Sequence, residues 1–503
     1  MRNQGVGSWP ARRARMSPER AALIADGRTE TYGQLRDRVY RLAHALQNLG
    51  VRRRDRVAYL GPNHPAFVET MFAAGVLGAV ILPLNTRLAA PELAYIVADA
   101  GADLLVWAPE LAETVSALHQ HRPFRTEVAV GDPGGYEKLI ADASTDPIDE
   151  PVGADDICMI QYTSGTSGHP KGVMLSHANI AWNCYNLLLD IDVASDEVTL
   201  VSAPMFHTAA LNQTFLPTFL KGGTAVLMSA FSPQRALDLI TEHRVTWMFG
   251  VPAMFQAIAQ SAGWAAADLS SLRTLMCGGA PVPDPLIRTY HERGLTFLEG
   301  YGLTEASPGA LFLRAEDSLR KIGSAGTPCF FTDVRVIAPD GTDVAPGETG
   351  EVIIQGPNVM AGYWKLPDAT TDAFYDHGWL RSGDAATVDG DGFVYIVDRV
   401  KDMIISGGEN IYPAEIEQAL YRHPAVADCA VIGIPDQRWG EVGRAVVALR
   451  PGASATEDEI LGFLAGKLAK YKIPKSVVVV QALPHNAAGK LLKGVLRERY
   501  GAD

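Results

Sequence analysis

The sequence predicts an α/β protein in two parts. A large N-terminal domain of mixed and parallel sheets, covered by helices and carrying a small β-barrel subdomain, precedes a smaller α+β C-terminal domain. Three observations predict this. Strand and helix patterns alternate from Leu35 to about Gly250, short turn-punctuated strands take over near Thr332, and the charged segment Asp398–Asp402 precedes a third, mixed pattern. At 503 residues the chain is too long for one core.

In order, Leu35, Val39, Leu42 and Leu46 recur at helical spacing, and Gly50 closes that helix. A strand Arg56–Leu60, a helix near Phe67–Val76 and a strand Ala79–Leu82 follow. A helix from about Ala90 and a strand Leu104–Val106 continue the alternation, which returns around 223–228 and 235–250. Such alternation implies parallel sheet with helices on its faces. Beyond Thr332, the runs Val334–Ile337, Gly350–Ile354 and Gly392–Val397 are separated by turns such as Pro339-Asp-Gly341. That is an antiparallel pattern, expected as a small barrel. After Asp402, a helix near Pro413 precedes strands at Ala430–Ile432 and Ala445–Leu449. A helix through Ile460, Phe463, Leu464 and Leu468 then leads to the strand Val477–Val480. The expected division is 1–397 (barrel-like part about 332–397), a hinge at 398–402, and 403–503.

Hydrophobic content of 47% with 20% charged residues is that of an ordinary globular protein. The net charge of −13 disfavours nucleic acid as a partner. Arg12, Arg13 and Arg15 read as a solvated helix start; no apolar stretch follows, so no secretory signal is expected. The apolar stretch Met71–Leu84 is shorter than the ~20 residues of a spanning helix, so no membrane span is expected, only peripheral contact with a lipid substrate's membrane. Five scattered cysteines lack metal spacing and are expected to be reduced core residues of a cytoplasmic protein.

The segment Tyr162–Gly172 carries the chemistry. It packs Thr163, Ser164, Gly165, Thr166, Ser167, Gly168, Lys171 and Gly172 behind an apolar strand, Ile157–Ile160. Glycines let successive N–H groups converge, while hydroxyls and the ammonium add donors, so the loop suits polyphosphate. It is not a Walker A loop, because Pro170 precedes Lys171 and no Ser or Thr follows it.

These residues resemble the signature of the adenylate-forming enzymes: acyl-CoA synthetases, peptide-synthetase adenylation domains and beetle luciferases. The resemblance extends through Gly278–Pro283, Glu299–Glu305, Ser382–Asp384, Asp398–Asp402, Gly407–Pro413 and Pro484–Lys490. It implies ATP, Mg²⁺ and CoA as cofactors, and a mobile C-terminal domain. Residues 164–168 and Lys171 would hold the β- and γ-phosphates, with Thr163 beside them. Gly279, Ala280 and Pro281 would line adenine, with Glu299, Gly300, Tyr301 and Gly302 in the facing segment. Thr304 would donate to a phosphate oxygen; Glu305 and Thr166 would serve Mg²⁺. Asp384 would accept the ribose hydroxyls, with Val397 and Arg399 on the same side. Lys490 would bridge the substrate carboxylate and the α-phosphate. In the second half-reaction the C-terminal domain would turn about Lys401, bringing Gly407, Gly408 and Glu409 to a pantetheine tunnel.

The acid would lie along Pro204–Asn212, Gly250–Met254, Cys277–Gly279 and Tyr301–Pro308, with His207 as a gate beside its carboxylate. Ala209, Ala210, Leu211, Val251 and Met254 describe an apolar slot, and no acidic residue stands between Pro204 and Leu220 to pair an amino group. A medium- or long-chain fatty acid is therefore expected, with aryl, terpenoid or steroid acids as alternatives. CoA is favoured over a carrier protein as acceptor because no room for an insertion is evident. A luciferase-like monooxygenase is the rival from another class. Ser167 and His485 depart from the family's usual residues. Homodimers occur among such enzymes, though no residue here argues for one.

Overall fold

The computed structural model describes residues 2–131, 135–163, 170–280, 282–399, 402–406, 409–465, 467–468, 470–485 and 491–502. Two sheets form the large part. The seven-stranded sheet runs Gly362–Tyr363, Lys171–Ser176, Ile157–Thr163, Val80–Leu84, Arg56–Leu60, Leu104–Trp107, Thr126–Ala129. The nine-stranded sheet runs Thr327–Pro328, Gly309–Leu313, Phe297–Gly302, Thr274–Gly278, Trp247–Gly250, Val198–Val201, Thr224–Leu227, Ala21–Ala25, Arg28–Thr31. Pairing is parallel from Phe297–Gly302 through Ala21–Ala25 and antiparallel at both edges.

The helix Tyr32–Asn48 starts at a capping box in which Thr31 and Gln34 exchange side-chain and backbone hydrogen bonds. Its Leu35, Val39, Leu42 and Leu46 are buried, as their spacing predicts. The helix Pro65–Val76 is buried on every face. Both pack in a core that draws Val57, Ile81 and Met159 from one sheet and Leu23, Val201 and Ala225 from the other. Burying each of Phe67, Val68, Met71 and Phe72 contributes about 1.5–3 kcal/mol, which outweighs any capping term at the helix ends.

The expected barrel region is a five-stranded antiparallel sheet in which Asp333–Ile337, Thr349–Gln355 and Trp379–Val388 pair in turn. Phe374–Tyr375 and Val394–Arg399 both join Trp379–Val388. The C-terminal part is a second five-stranded sheet (Glu409–Ile411, Ile404–Ser406, Gly440–Leu449, Val426–Asp436 and Ser476–Val480) with the helices Pro413–Tyr421, Glu457–Leu464 and Lys493–Tyr500.

Two expectations need correction. The helix through Ile460 ends at Leu464 because Ala465 adopts extended backbone, so Leu468 falls outside it. The N-terminal arginines are not simply solvated. Arg13 donates to the Leu220 carbonyl, fastening the helix Trp9–Met16 to the core, while exposed Arg12 donates to Ser8 Oγ at 2.9 Å at the helix's own N-cap. Among the described residues no helix is long and apolar enough to cross a membrane. All five cysteines are buried and free.

Candidate active site

Strand order locates a crevice. After Val198–Val201 the chain adds Thr224–Leu227 on one side, then Trp247–Gly250 on the other. In such sheets ligands bind where the order reverses, beyond the carboxyl ends of the strands. Ser202–His207, Val251, Gly279–Ala280 and Leu303–Pro308 all emerge at that end. Gly278 and Gly300 are ladder partners there; a Cβ on Gly278 would lie 2.5 Å from the Gly300 carbonyl oxygen. Gly279 follows with φ +80°, a left-handed turn that favours glycine.

On one side of the crevice Asp384 is buried and held by neighbours. Its carboxylate accepts from the Tyr301 hydroxyl at 2.6 Å, and its N–H donates to Ser382 Oγ at 3.0 Å. Ser382 in turn donates to the Val352 carbonyl. Arg399 stands opposite Asp384 in the ladder, and Ala385 opposite Asp398. Val397 belongs to the same strand. Lys171 pairs with Thr163 across an antiparallel hairpin, so the glycine-hydroxyl loop joins two strands of one sheet. The Lys171 ammonium lies 5.0 Å from the centre of the Tyr363 ring, and the Tyr363 hydroxyl donates to Glu305 Oε1 at 2.9 Å. Thr304 and Glu305 form one short 3-10 turn, fixed by the Met360 N–H on the Glu305 carbonyl.

Several buried polar atoms face no partner among the described residues: Glu299 Oε1, His207 Nε2, Asn212 Oδ1 and Ser307 Oγ. Burial, and then Asp284, push the Glu299 carboxyl up to about 8. Burial, and then Arg87, push His207 down to about 4, so its imidazole is neutral near pH 7. His207 precedes a π-helical stretch, Leu211–Phe215, which turns Asn212 toward the Ser307 carbonyl at 3.2 Å. Such stretches recur at functional sites.

These shifts make a testable pH dependence. The unfolded chain ionises Glu299 above its ordinary 4.5, whereas the fold keeps it protonated to about 8. Glu299 therefore costs stability as pH rises through that window. His207 has the opposite slope: the unfolded chain takes up a proton below 6.5, the folded one below about 4, so stability falls as pH drops between them. Melting temperatures measured from pH 4.5 to 9 should flatten on the alkaline side in Glu299→Gln and on the acid side in His207→Gln.

The residues present fit the groups the resemblance implies. Glu299 offers an unpaired oxygen to an amino group of a base, and Asp384 is a fixed acceptor beside Tyr301. No cluster of three or more metal-ligating side chains occurs among the described residues. Mg²⁺ is commonly held by one or two carboxylates and substrate phosphates, and Glu305 offers a carboxylate beside the Tyr363 hydroxyl. The expected residues Ser164, Gly165, Thr166, Ser167, Gly168, Pro281, Lys401, Gly407, Gly408 and Lys490 lie outside the described residues. Arg399 and Glu409 are placed by backbone alone. Sequence reasoning missed Tyr363, whose hydroxyl bonds Glu305, 58 residues away in the chain. It also missed Gln161, which ties the strand Ile157–Thr163 to the loop after Val198–Val201 by donating to the Phe206 carbonyl.

The family model of the AMP-binding enzyme matches residues 10–364, and that of the AMP-binding enzyme C-terminal domain matches 415–490. Feruloyl-CoA synthase of an Amycolatopsis species is 56% identical over all of both chains. The chain belongs to the AMP-binding enzyme family, in its acyl-CoA ligase branch. Members of this branch are AMP-forming acid–thiol ligases that use ATP, Mg²⁺ and CoA. The long-chain-fatty-acid–CoA ligase FadD13 of Mycobacterium tuberculosis is 41% identical over 99% of both chains. Among solved structures, ATP-bound MatB from Rhodopseudomonas palustris superposes with a TM-score of 0.90, at 32% identity over 98% of this chain and 99% of that one. The apo form of MatB scores 0.80. The large lobe of mixed α/β sheets and the smaller C-terminal lobe are thus those of the AMP-binding enzymes.

Proposed function

We propose that this AMP-binding enzyme activates an aryl acid of the hydroxycinnamate kind and transfers it to CoA. The observation that carries the reading is the end-to-end 56% identity with feruloyl-CoA synthase, against 41% with a fatty-acid ligase. It favours the aryl alternative over the fatty acid expected from the apolar slot. Asn212 and Ser307 give it a chemical basis. Their unpaired buried oxygens can receive a hydroxyl or methoxy-bearing ring, whereas an alkyl chain would leave them unsatisfied.

In the first half-reaction the acid's carboxylate attacks the α-phosphate of ATP, forming the acyl–phosphate bond and releasing pyrophosphate. Asp384 holds the ribose hydroxyls with Arg399 and Val397 on that side, and Glu299 and Tyr301 take the base against Gly279–Pro281. Thr163–Gly168, Thr304 and Lys171 bind the outer phosphates. Glu305, with Thr166, would hold Mg²⁺, which would supply neutralising charge at the phosphates. Neutral His207 lets the acid's anion enter without trapping it as an ion pair. Lys490 brings a cation to the two anions that must meet. The C-terminal lobe, beginning beyond the hinge 398–402, then turns about Lys401 so that Gly407, Gly408 and Glu409 admit the pantetheine thiol. The five buried free thiols suit a cytoplasmic enzyme.

Pyrophosphate release with a panel of acids tests the proposal. Ferulic and 4-hydroxycinnamic acids should exceed decanoic and hexadecanoic acids in kcat/KM by roughly tenfold or more, one step of about 1.4 kcal/mol in the barrier. A higher kcat/KM for either alkanoic acid would overturn the aryl assignment and leave the ligase reaction intact.

A further inference from the structure

We propose that Asp398 is a latch between the lobes, gripped by Lys493 and the Ala414 amide, which favours the orientation for adenylation. The inference rests on the reading of Lys401 as the pivot. Asp398 lies on the strand Val394–Arg399 of the large lobe and is buried. Its Oδ2 accepts from the Ala414 N–H at 2.9 Å and lies 3.9 Å from Lys493 Nζ. Ala414 is in the first turn of the helix Pro413–Tyr421, which has no side-chain cap of its own. Asp398 thus satisfies an orphan amide and sits at the positive end of that helix.

Lys493 opens the helix Lys493–Tyr500, three residues after Lys490. Its ammonium is 2.9 Å from Glu417 Oε1, which also accepts the Val431 N–H at 2.7 Å. One turn later Arg497 pairs with Asp402 at 2.7 Å. The ion pairs Lys493–Glu417 and Arg497–Asp402 join residues beyond the pivot and travel together when the lobe turns. The contacts of Asp398 with Lys493 and Ala414 cross the pivot, so they exist in one orientation and break in another. Arg422 and Asp284 also pair across the lobes at 3.0 Å, but the arginine side chain is 58% exposed and such a pair contributes little. Asp398 and Lys493 are desolvated, with side chains only 5% and 13% exposed. The overall arrangement is nearer the ATP-bound than the apo form of MatB. Lys493 is therefore a positioning residue. It acts on lobe orientation through Asp398.

The test uses the full chain. Asp398→Asn keeps an acceptor for the Ala414 N–H but removes the charge; Asp398→Ala removes both. Pyrophosphate release from ATP and acid is measured alongside thioester formation from preformed acyl adenylate and CoA. The ratio of the first rate to the second should fall about fivefold in Asp398→Asn, the lower end of ordinary coupling effects, and further in Asp398→Ala. Lys493→Met should match Asp398→Asn, and Lys493→Arg should keep the ratio. An unchanged ratio, or an equal fall in both rates, overturns the latch. Lys490→Ala in the same assays separates the two ideas. If it splits the half-reactions while Asp398→Asn does not, the latch fails and lobe alternation stands. If it lowers both equally, the alternation fails and the latch with it.

Discussion

Lys490→Ala should lose pyrophosphate release by a factor of ~10² or more, the size expected for removing a charge contact made in the transition state. Thioester formation from a preformed acyl adenylate should largely survive. Two anions must approach in the first half-reaction, and no other lysine or arginine in the proposed set is assigned to the reacting oxygens. Lys171 lies over Tyr363, on the side proposed for the outer phosphates. In the second half-reaction a thiolate attacks a carbonyl and AMP leaves, so that cation is no longer needed at the same place. Separate assays of the two steps decide the matter, and equal losses in both would show that Lys490 serves the fold or both reactions.

Gly302→Ala should be severely destabilising. A Cβ at that position would lie 1.7 Å from the Pro308 carbonyl oxygen and 2.7 Å from its carbon. Both are backbone atoms, and Leu303 N–H already bonds that same oxygen at 3.0 Å, so the clash cannot be relieved by a rotamer change. Overpacking of this kind costs about 1–3 kcal/mol and occasionally more. The cost falls between Tyr301 and Thr304, so nucleotide affinity should fall along with the melting temperature. Gly390→Ala, where added carbon meets nothing within 4 Å, is the matched control. A Gly302→Ala protein with unchanged melting temperature and nucleotide affinity would refute the close approach.

Much of the fold was legible because local physics agreed with it. Leu35, Val39, Leu42 and Leu46 share one face, and that face is buried. The alternation around Arg56–Leu60 and Leu104–Trp107 became parallel strands side by side. Sheet membership was not legible. Nothing local in Val198–Val201 says that its neighbours are Thr224–Leu227 and Trp247–Gly250, since strand order is decided by long-range packing. The helix Pro65–Val76 lacks an amphipathic pattern because water touches no side of it.

At the site, Asp384 and Tyr301 were each named from motifs, yet their hydrogen bond depends on two sheets meeting. Tyr363 carried no signal at all, being one of two adjacent aromatics after a glycine in a loop-like stretch. The preference for a fatty acid came from weighing Ala209, Ala210 and Leu211 while passing over Asn212 beside them. Only the burial of its Oδ1 without a partner among the described residues makes that side chain chemically conspicuous.

Asp384 and Asp398 lie on adjoining strands, Asp384 opposite Arg399 and Ala385 opposite Asp398, so they occupy neighbouring rungs of one ladder. With Asp384 as the proposed ribose acceptor and Asp398 as the proposed latch, grip on the nucleoside and orientation of the lobes would form a linked equilibrium. Whatever factor nucleotide exerts on lobe orientation, orientation must exert on nucleotide affinity. AMP would be held with a strength that changes as the smaller lobe turns, and the departure of the spent nucleotide becomes a gauge of where that lobe stands.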